Sequence, residues 1–355
     1  MRVALLNPVF WPEVRRGSER VVRDLADGLL ARGDHPRVIT SHRGRPGIAV
    51  EDSLEVERVW RPPGGGRLER RLYEQHLTHV GLSYLALRRF DPDVAHAFFA
   101  TDALAATRWS RERGRPVVFS FMGVPHRQGL ANRRWRKELL VRACAEADAV
   151  VALSREAADA FDYWLGVQAR AIAPGVDLDA FSPAPDTRAA APTILCAAAP
   201  GEPRKRVGLL AEAFALLRER HPDARLVLSR RPGASAPSGP GIEWRDLDTR
   251  EALVAANREA WVHALVSFGE AFGLVLAEAL ACGTTVLGPT AELVEGVGER
   301  FVDGDPPELA AALERALDRA RDPATPAACR ARAERFSRQA TTDAYSALYS
   351  ELGTA

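Results

Sequence analysis

Two glutamates with seven residues between them lie in the segment best suited to chemistry. Glu270 stands in a turn that also holds Gly269 and Gly273, and Glu278 falls one turn into a helix predicted to begin at Leu274. A helix N-terminus offers unpaired N–H groups and the positive end of the helix dipole, which suit a phosphate or sugar oxygens. Gly273 has no side chain, so the backbone there can approach a ligand closely. The segment therefore predicts a binding site for a phosphate or a sugar.

A purely structural interpretation of the same spacing is a buried strand–helix–strand unit with a charged first turn, since glutamate near a helix start is mildly stabilising. Glu278 separates the two interpretations. It lies among Ala277, Ala279 and Leu280, and a carboxylate on a small, apolar helix face needs a partner or a ligand. The binding interpretation explains that placement.

Lysine is nearly absent from the chain, which contains only Lys137 and Lys205. Lys205 lies between Arg204 and Arg206, after a predicted strand and a loop that contains proline. A fixed cation of this kind stabilises negative charge that develops on a departing group. The alternative is an ordinary solvated basic turn, and the residues alone leave both open.

Composition bounds the class of protein. A chain of 355 residues exceeds the usual size of one compact core, so we expect two domains. A net charge of +1 gives no support for a nucleic-acid partner. The four cysteines form no C-x-x-C pair, which favours buried, reduced thiols. The sequence shows no signal peptide and no apolar run long enough for a membrane span, so we expect a cytoplasmic protein.

The elements that must position these residues alternate between short apolar strands and amphipathic helices. Strands are predicted at 3–6, 38–40, 94–98, 117–121, 149–153, 193–196, 225–228 and 285–287, and helices at 18–31, 133–147, 207–217, 274–282, 307–320 and 336–352. This alternation predicts parallel sheets with helices on both faces, and such sheets bind ligands beyond the carboxyl ends of their strands. The pattern restarts after a proline-rich stretch around Phe181–Pro185, which we interpret as the interdomain linker. Two successive doubly wound α/β sheets imply a cleft between them.

The sequence resembles the large retaining glycosyltransferase family 4 (glycosyl transferase group 1), whose members share the two-domain GT-B fold. Glu270 and Glu278 match its paired-glutamate motif, and Ala281-Cys-Gly-Thr-Thr-Val286 matches the helix end and strand that follow it. Weaker matches are Ala173-Pro-Gly-Val-Asp177 and Pro203-Arg-Lys-Arg206. The resemblance covers nearly the whole chain.

The resemblance implies two Rossmann-like domains that face each other across a cleft. Residues 1–183 would form the acceptor-binding domain and residues 184–335 the nucleotide-sugar donor domain, while the helix of 336–355 would return to the first domain. It also implies a retaining, metal-independent transferase of the hexosyltransferase type. No cofactor is implied, since the nucleotide-diphosphate sugar is the donor substrate, and no Asp-x-Asp cluster follows a predicted strand.

The resemblance also carries roles over to individual residues. Glu270 and the N–H groups after it would hold the donor sugar, Glu278 would accept hydrogen bonds from the ribose hydroxyls, and Lys205 would bind the diphosphate. The implied catalytic residues are Lys205, Glu270 and His126, and the implied donor-binding residues are Gly17, Ser18, Arg204, Lys205, Leu247, Glu270, Ala271, Phe272, Gly273, Leu274 and Glu278. Ser18 also fits a plain helix N-cap.

Two positions depart from the family pattern. The family usually has an arginine six residues before the diphosphate lysine, where this chain has Ala199; Arg204 or Arg206 would have to replace its charge. After the strand Val117–Phe121 the family often has His-Gly, where this chain has Met122 and Gly123. His126 follows shortly after and is the candidate replacement, although it also fits an ordinary surface histidine.

Two rival functions fit parts of the pattern. A nucleotide-sugar epimerase shares the architecture, but it would need acid and base side chains at the sugar, and the relevant segments offer few histidines. A non-catalytic nucleotide-sugar-binding protein would tolerate Ala199 and Met122. The acceptor is open among a natural product, a cell-envelope lipid and a glycan, because acceptors are recognised by variable loops.

A basic segment in the first half suggests a further partner. Arg133, Arg134, Arg136 and Lys137 surround Trp135 at the start of a predicted helix. Such a face suits anionic lipid or a phosphorylated acceptor, and a solvated helix face is the alternative. From the sequence we therefore hypothesise peripheral contact with the inner face of an anionic membrane. We do not expect a nucleic-acid partner.

Overall fold

The chain folds into two compact units. The computed structural model describes residues 1–14, 17–62, 71–230 and 237–354. One unit comprises Met1–Gly175 together with the C-terminal segment from Arg338, and the other comprises Val176–Ser337. The first unit thus ends at Gly175 and not at residue 183. The proline-rich stretch is no linker, because the Phe181 side chain is buried inside the second unit and its carbonyl accepts a hydrogen bond from Arg330.

The described part of the first unit contains an eight-stranded sheet in the order β3-β4-β2-β1-β5-β6-β7-β8. Its strands are β1 Arg2–Leu6, β2 His35–His42, β3 Gly47–Glu51, β4 Leu54–Trp60, β5 Val94–Ala97, β6 Val117–Phe121, β7 Ala149–Ala152 and β8 Arg170–Ala171. Every neighbouring pair is parallel except β3 and β4. The strand order reverses between β1 and β5, which is the switch point where doubly wound sheets bind ligands.

Helices cover both faces of this sheet. Those within the described residues are Gly17–Ala31, His79–Phe90, Ala100–Arg113, Arg127–Ala131, Arg136–Glu146, Arg155–Leu165 and Arg338–Gly353. Side chains of Gly17–Ala31 and of the C-terminal helix share one buried cluster, and those of His79–Phe90 and Ala100–Arg113 share another. The helix predicted at 133–147 begins later, because Trp135 has a left-handed backbone with φ of 67°.

The C-terminal helix packs into the first unit through two buried tyrosines. The Tyr349 hydroxyl lies 2.6 Å from His96 Nδ1, and His96 Nε2 lies 2.7 Å from the Ser120 hydroxyl. Ser120 in turn lies 3.0 Å from the Tyr345 hydroxyl. These four buried groups satisfy one another's hydrogen bonds, so they fix the position of the helix on strands β5 and β6.

The described part of the second unit contains a six-stranded, fully parallel sheet in the order β11-β10-β9-β12-β13-β14. Its strands are β9 Thr193–Cys196, β10 Arg225–Ser229, β11 Ile242–Arg245, β12 Val262–Ala264, β13 Thr285–Gly288 and β14 Gly298–Arg300. Relative to β9 the order is that of the Rossmann fold, with its switch point between β9 and β12. The predicted fold class, two doubly wound α/β domains, is confirmed.

The helices of the second unit follow the same alternation. They are Val207–Arg220, Arg250–Glu259, Leu274–Ala281, Ala291–Val294, Pro306–Arg321 and Thr325–Glu334, with 3-10 turns at Pro185–Thr187 and Pro203–Lys205. All four cysteines of the chain are free and buried, as expected. Across the described ranges, no helix combines the length and the apolar character needed to cross a bilayer.

Two buried histidines make stability depend on pH. Burial lowers the pKa of His96, in the first unit, and of His263, in the second, to about 3 from a usual 6.5. Between pH 6.5 and 3 the unfolded chain therefore binds more protons than the folded one, so stability falls as the pH falls through this window. We expect each histidine to cost about 1.4 kcal/mol per pH unit below about 6.5.

Urea unfolding between pH 7.5 and pH 5 tests this expectation, with values chosen to bracket the usual histidine pKa. The His96→Gln and His263→Gln variants should each flatten the dependence of unfolding free energy on pH by about one proton, whatever their effect on stability itself. His35→Gln, at an exposed position, is the matched control. A wild-type slope in both buried variants would contradict the prediction.

Candidate functional site

The residues with predicted chemistry in the second unit meet at the carboxyl edge of its sheet. The chain leaves β9 through the loop that ends in the 3-10 turn Pro203–Lys205, and it leaves β12 through the turn that holds Glu270. The Phe268 N–H donates to the Arg204 carbonyl at 2.8 Å, which ties the two loops together. The site therefore lies at the switch point between β9 and β12, where a ligand is expected on this fold.

Lys205 and Glu270 form an ion pair at this edge. Lys205 Nζ donates to Glu270 Oε2 at 2.8 Å, and the two side chains are only 15% and 14% exposed. Arg204 Nη1 lies 3.9 Å from the same carboxylate oxygen. The structure thus brings together the three charged residues that the sequence placed in two separate loops.

The turn after Glu270 positions a helix N-terminus at the same place. Gly273 has a φ of +91°, a left-handed conformation that favours glycine, and a Cβ there would crowd the Leu265 side chain at 3.3 Å. The helix Leu274–Ala281 follows, and its first backbone hydrogen bonds are donated by Leu276 and Ala277 to the Gly273 carbonyl. The N–H groups ahead of them, at Gly273 and Leu274, lie at the positive end of the helix.

The side chains of this turn point into the unit. Ala271 and Phe272 are buried, and the Phe272 ring packs edge-on against Phe336 with 5.2 Å between ring centroids. The Thr290 hydroxyl donates to the Phe272 carbonyl at 2.7 Å. Core packing on one side and a buried hydrogen bond on the other hold the backbone of the turn in place.

Glu278 is buried, with 1% of its surface exposed, and it follows Leu274 by one helical turn. Burial raises the pKa of the neighbouring Cys282 thiol to about 12, and the charge of Glu278 contributes to that rise. The helix therefore carries a buried acidic group one turn from its first residue.

Leu247 lies just after β11, a strand that the sequence analysis did not predict. Its side chain packs in a core cluster with Leu195 and Val227.

Asp246 and Asp248 flank Leu247, so the expectation that no Asp-x-Asp follows a strand is wrong. Asp246 Oδ1 accepts the Asp248 N–H at 3.0 Å, the geometry of a local turn. In the ranges that the structure describes, no group of three or more histidine, cysteine or acidic residues is placed to hold a metal ion.

Gly17 and Ser18 lie in the first unit, after β1 at the switch point of its sheet. Gly17 is exposed and begins the first helix, and a Cβ there would meet nothing within 4 Å. Ser18 is half-buried and is the second residue of that helix, so it is not the N-cap residue. Arg15 and Arg16 of the same loop are outside the described residues.

His126 is the N-cap of the helix Arg127–Ala131. Its Nδ1 accepts the Gly129 N–H at 3.1 Å, so it has a local structural role. Met122 is half-buried against the core cluster below it. Both His126 and Met122 belong to the first unit, whereas Glu270 and the residues paired with it belong to the second unit.

Two serines at the edge of the second sheet were missed by sequence analysis. Ser229 ends β10, Ser267 follows β12, and both are fully buried. Among the described residues, neither hydroxyl oxygen has a hydrogen-bond partner. The signal was a small polar residue at a strand end, which is too common to single out alone.

Two family models match this chain. Glycosyltransferase Family 4 matches residues 15–180, and Glycosyl transferases group 1 matches residues 191–319. The two matches together span most of the chain, and each falls largely within one structural unit.

Curated relatives are bacterial glycosyltransferases. The chain is 34% identical over 251 residues to the D-inositol 3-phosphate glycosyltransferase of Saccharomonospora viridis, with 60% of this chain and 55% of the relative covered. It is 29% identical over 322 residues to the protein of the same name from Nocardiopsis dassonvillei, with 77% and 74% covered. The phosphatidyl-myo-inositol mannosyltransferase of Propionibacterium freudenreichii is 31% identical over 182 residues, with 49% and 46% covered. The match thus spans about half the length of the first and third of these relatives.

Solved structures show the fold. Sucrose-phosphate synthase from Thermosynechococcus elongatus superposes with a TM-score of 0.83 at 21% identity and covers 99% of each chain. Anabaena HepE, solved in complex with UDP-glucose, gives a TM-score of 0.74 at 17% identity and covers 99% of this chain and 100% of its own. The two family matches, the relatives and these structures agree, and the chain belongs to glycosyltransferase family 4, of the glycosyl transferases group 1, with the GT-B fold.

Proposed function

We propose that the protein is a retaining, metal-independent glycosyltransferase that moves a sugar from a nucleotide-diphosphate sugar to a hydroxyl of its acceptor. The observation that carries the proposal is the Lys205–Glu270 ion pair beside the N-terminus of Leu274–Ala281. A cation and a helix N-terminus at the carboxyl edge of a Rossmann sheet favour a diphosphate, and a carboxylate beside them favours sugar hydroxyls.

Each group has a proposed task. Lys205 binds the diphosphate and stabilises its charge as it leaves, and Glu270 with the N–H groups of residues 271–274 holds the sugar. Glu278 accepts hydrogen bonds from the ribose hydroxyls, and the chain around Leu247 holds the base. Gly17 and Ser18 contribute backbone close to the donor phosphate.

The proposed reaction keeps the configuration of the anomeric carbon. The bond from that carbon to the diphosphate oxygen breaks and its electron pair stays on the oxygen. The acceptor oxygen forms its new bond on the same face, and the acceptor proton passes to the leaving phosphate oxygen. We also propose that His126, which lies in the first unit, takes part in the transfer reaction. It would act through Nε2, because its Nδ1 accepts the Gly129 N–H.

The acceptors to test first follow from the relatives' names. D-inositol 3-phosphate and phosphatidyl-myo-inositol both present ring hydroxyls beside a phosphate. A natural-product aglycone and a glycan complete the acceptor panel. We propose an acceptor of the hydroxyl-bearing, phosphate-linked kind.

A two-step experiment tests the proposed function. Thermal shift with UDP-, GDP-, ADP- and TDP-sugars identifies the donor, because a ligand that binds the folded state raises apparent stability. The donor is then incubated with and without each acceptor, and products are identified by mass and anomeric configuration. Transfer with retention supports the proposal. An isomerised donor without acceptor indicates an epimerase, binding without turnover indicates a non-catalytic protein, and no binding at all rejects the proposed site.

We also propose peripheral contact with an anionic membrane, through an exposed surface formed by Leu72, Arg134, Trp135, Lys137 and Val141. Leu72, Trp135 and Val141 are 59%, 52% and 42% exposed, and the two basic residues are exposed beside them. The Arg134 N–H donates to the Leu72 carbonyl at 2.6 Å, which holds the two segments of the surface together. Exposed apolar side chains with basic neighbours favour an anionic lipid surface.

Two of the four basic residues around Trp135 are held by hydrogen bonds within the protein. Arg136 donates twice to Glu74, at 2.5 and 2.8 Å. Burial pushes the pKa of Glu74 upward, but hydrogen bonds from Arg136 and the Gln75 N–H outweigh it, so the pKa falls below its usual value. Arg133 donates to the Tyr73 carbonyl at 3.1 Å. Arg136 and Arg133 therefore hold the surface together, and Arg134 and Lys137 are the residues proposed to meet lipid.

Trp135→Ala is expected to weaken binding to phosphatidylglycerol vesicles about fivefold or more, because it removes a large exposed apolar side chain that would enter the lipid interface. Co-sedimentation at low and high salt measures the effect. Trp164→Ala, a second exposed tryptophan of the same unit, is the matched control. Wild-type protein that stays in the supernatant with anionic vesicles at low salt would remove the membrane proposal.

A further inference from the structure

Arg204 is the second basic residue, after Lys205, that lies within 4 Å of the Glu270 carboxylate among the described residues. We propose that Arg204 is a second cation for the donor's diphosphate, acting beside Lys205, and that Arg206 is a structural residue. This inference rests on the proposed nucleotide-sugar function. The inference names the arginine that supplies the second positive charge, because this chain has Ala199 where the family usually has an arginine.

The need for a second cation follows from the geometry of the pair. Lys205 Nζ is 2.8 Å from Glu270 Oε2, so the charge of the lysine is largely balanced within the protein. A diphosphate that met this pair alone would meet little net positive charge. Arg204 Nη1, 3.9 Å from the same oxygen, gives the three groups together an excess of one positive charge.

Arg204 is free enough to take part. Its side chain is 51% exposed, and its other ion pair, at 3.3 Å, is with Glu202, which is 49% exposed. Exposed pairs of this kind contribute little to stability and exchange readily with solvent. A diphosphate offers the guanidinium two oxygens in a fork, which is the stronger partner. The backbone carbonyl of Arg204 is fixed by the Phe268 N–H, so the side chain starts from a set position at the switch point.

Arg206 is committed elsewhere. Its Nε donates to the Val266 carbonyl at 2.7 Å and its Nη2 to the Val302 carbonyl at 2.6 Å. Its Nη1 donates to Asp303 at 2.8 Å, and the side chain is 17% exposed. Three hydrogen bonds to the segments after β12 and β14 hold the guanidinium of Arg206. Arg206 therefore stabilises the edge of the sheet, and the Arg204 guanidinium makes no such contacts among the described residues.

Binding of UDP, GDP and ADP to the full chain by calorimetry tests the inference, with the matching nucleoside as a second ligand. Arg204→Gln is expected to weaken binding of the preferred diphosphate about ten- to a hundredfold, because a charge-assisted hydrogen bond is lost. Binding of the nucleoside should stay unchanged, since it has no phosphate. Arg204→Lys should lie between the wild type and Arg204→Gln. Arg220→Gln, which removes one exposed charge at the far end of Val207–Arg220, is the matched control and should bind as the wild type does.

The outcomes separate this inference from the proposed function. Wild-type binding of a diphosphate that is unchanged in Arg204→Gln overturns the inference and leaves the nucleotide-sugar site standing. An equal loss of diphosphate and nucleoside binding also overturns it, because that pattern reports a disturbed fold and not a lost phosphate contact. Wild-type protein that binds none of the three diphosphates overturns the proposed function itself.

Discussion

Lys205→Ala is expected to lower kcat/KM about 10²- to 10³-fold, the cost of removing one preorganised group that stabilises charge on a leaving group. The reason is the position of Lys205 Nζ at the switch point, 2.8 Å from Glu270 and next to the N-terminus of Leu274–Ala281. Negative charge grows on the diphosphate as the sugar departs, so the loss should fall mainly on kcat. Steady-state kinetics with the donor found by thermal shift measures both constants.

The chain offers a matched control for this substitution in its other lysine. Lys137 is exposed in the first unit, so with a water-soluble acceptor Lys137→Ala makes the same chemical change away from the donor site and should leave kcat/KM within about twofold of the wild type. Lys205→Arg keeps the charge and should retain more activity than Lys205→Ala. Full activity in Lys205→Ala with an unchanged unfolding temperature would refute the proposed role of the lysine.

Much of the fold was predictable because its signals are local. Short apolar strands alternate with helices of clear periodicity, and Thr193–Cys196 and Val117–Phe121 were predicted with the bounds that the structure gives. The edge hairpin of Gly47–Glu51 and Leu54–Trp60 was not predicted. Its turn places Asp52 and Ser53 at φ of 48° and 68°, positions that Asn-Gly or Asp-Gly usually mark, and that marker is missing here.

The domain boundary and β11 were missed for a different reason. Phe181 belongs to the second unit because its ring is buried there. The prolines around it predicted a linker, but tertiary packing decides burial and cannot be inferred from nearby prolines. Ile242–Arg245 has charged residues at two of its four positions, and each is paired: Glu243 with Arg225 and Arg245 with Glu259. Cross-strand and sheet–helix ion pairs therefore support a strand whose own sequence is weak.

The candidate site was predictable in its residue types and not in its pairings. Spacing and resemblance both predicted Glu270 and Glu278 as site residues, whereas Lys205 was predicted by the resemblance and left open by the residues alone. The sequence could not choose between Arg204 and Arg206, since neighbouring arginines look alike until the backbone directs them. The left-handed conformation of Arg206, with φ of 48°, turns its side chain towards Val266 and Asp303, while Arg204 is left near Glu270.

Tyr349→Ala is expected to lower the unfolding free energy of the first unit by about 3–5 kcal/mol, the usual cost of truncating a fully buried aromatic side chain. Tyr349 is 1% exposed and lies in the core cluster that joins the C-terminal helix to strands β1 and β5. Burial raises the pKa of its phenol well above 10, so the hydroxyl stays protonated beside His96 Nδ1, 2.6 Å away. Truncation therefore leaves a cavity and a buried ring nitrogen without its partner.

Smaller changes at the same position separate these two costs. Tyr349→Phe keeps the ring and removes only the hydroxyl, so it should cost about 1–3 kcal/mol. Tyr163→Ala, at a tyrosine 80% exposed in the same unit, should cost less than about 0.5 kcal/mol. Urea unfolding followed by hydrogen exchange in strands β5 and β6 reports the first unit on its own. If Tyr349→Ala and Tyr163→Ala were equally stable, the C-terminal helix would not be held by the buried hydrogen-bond chain through His96, and its place in the first unit would need another explanation.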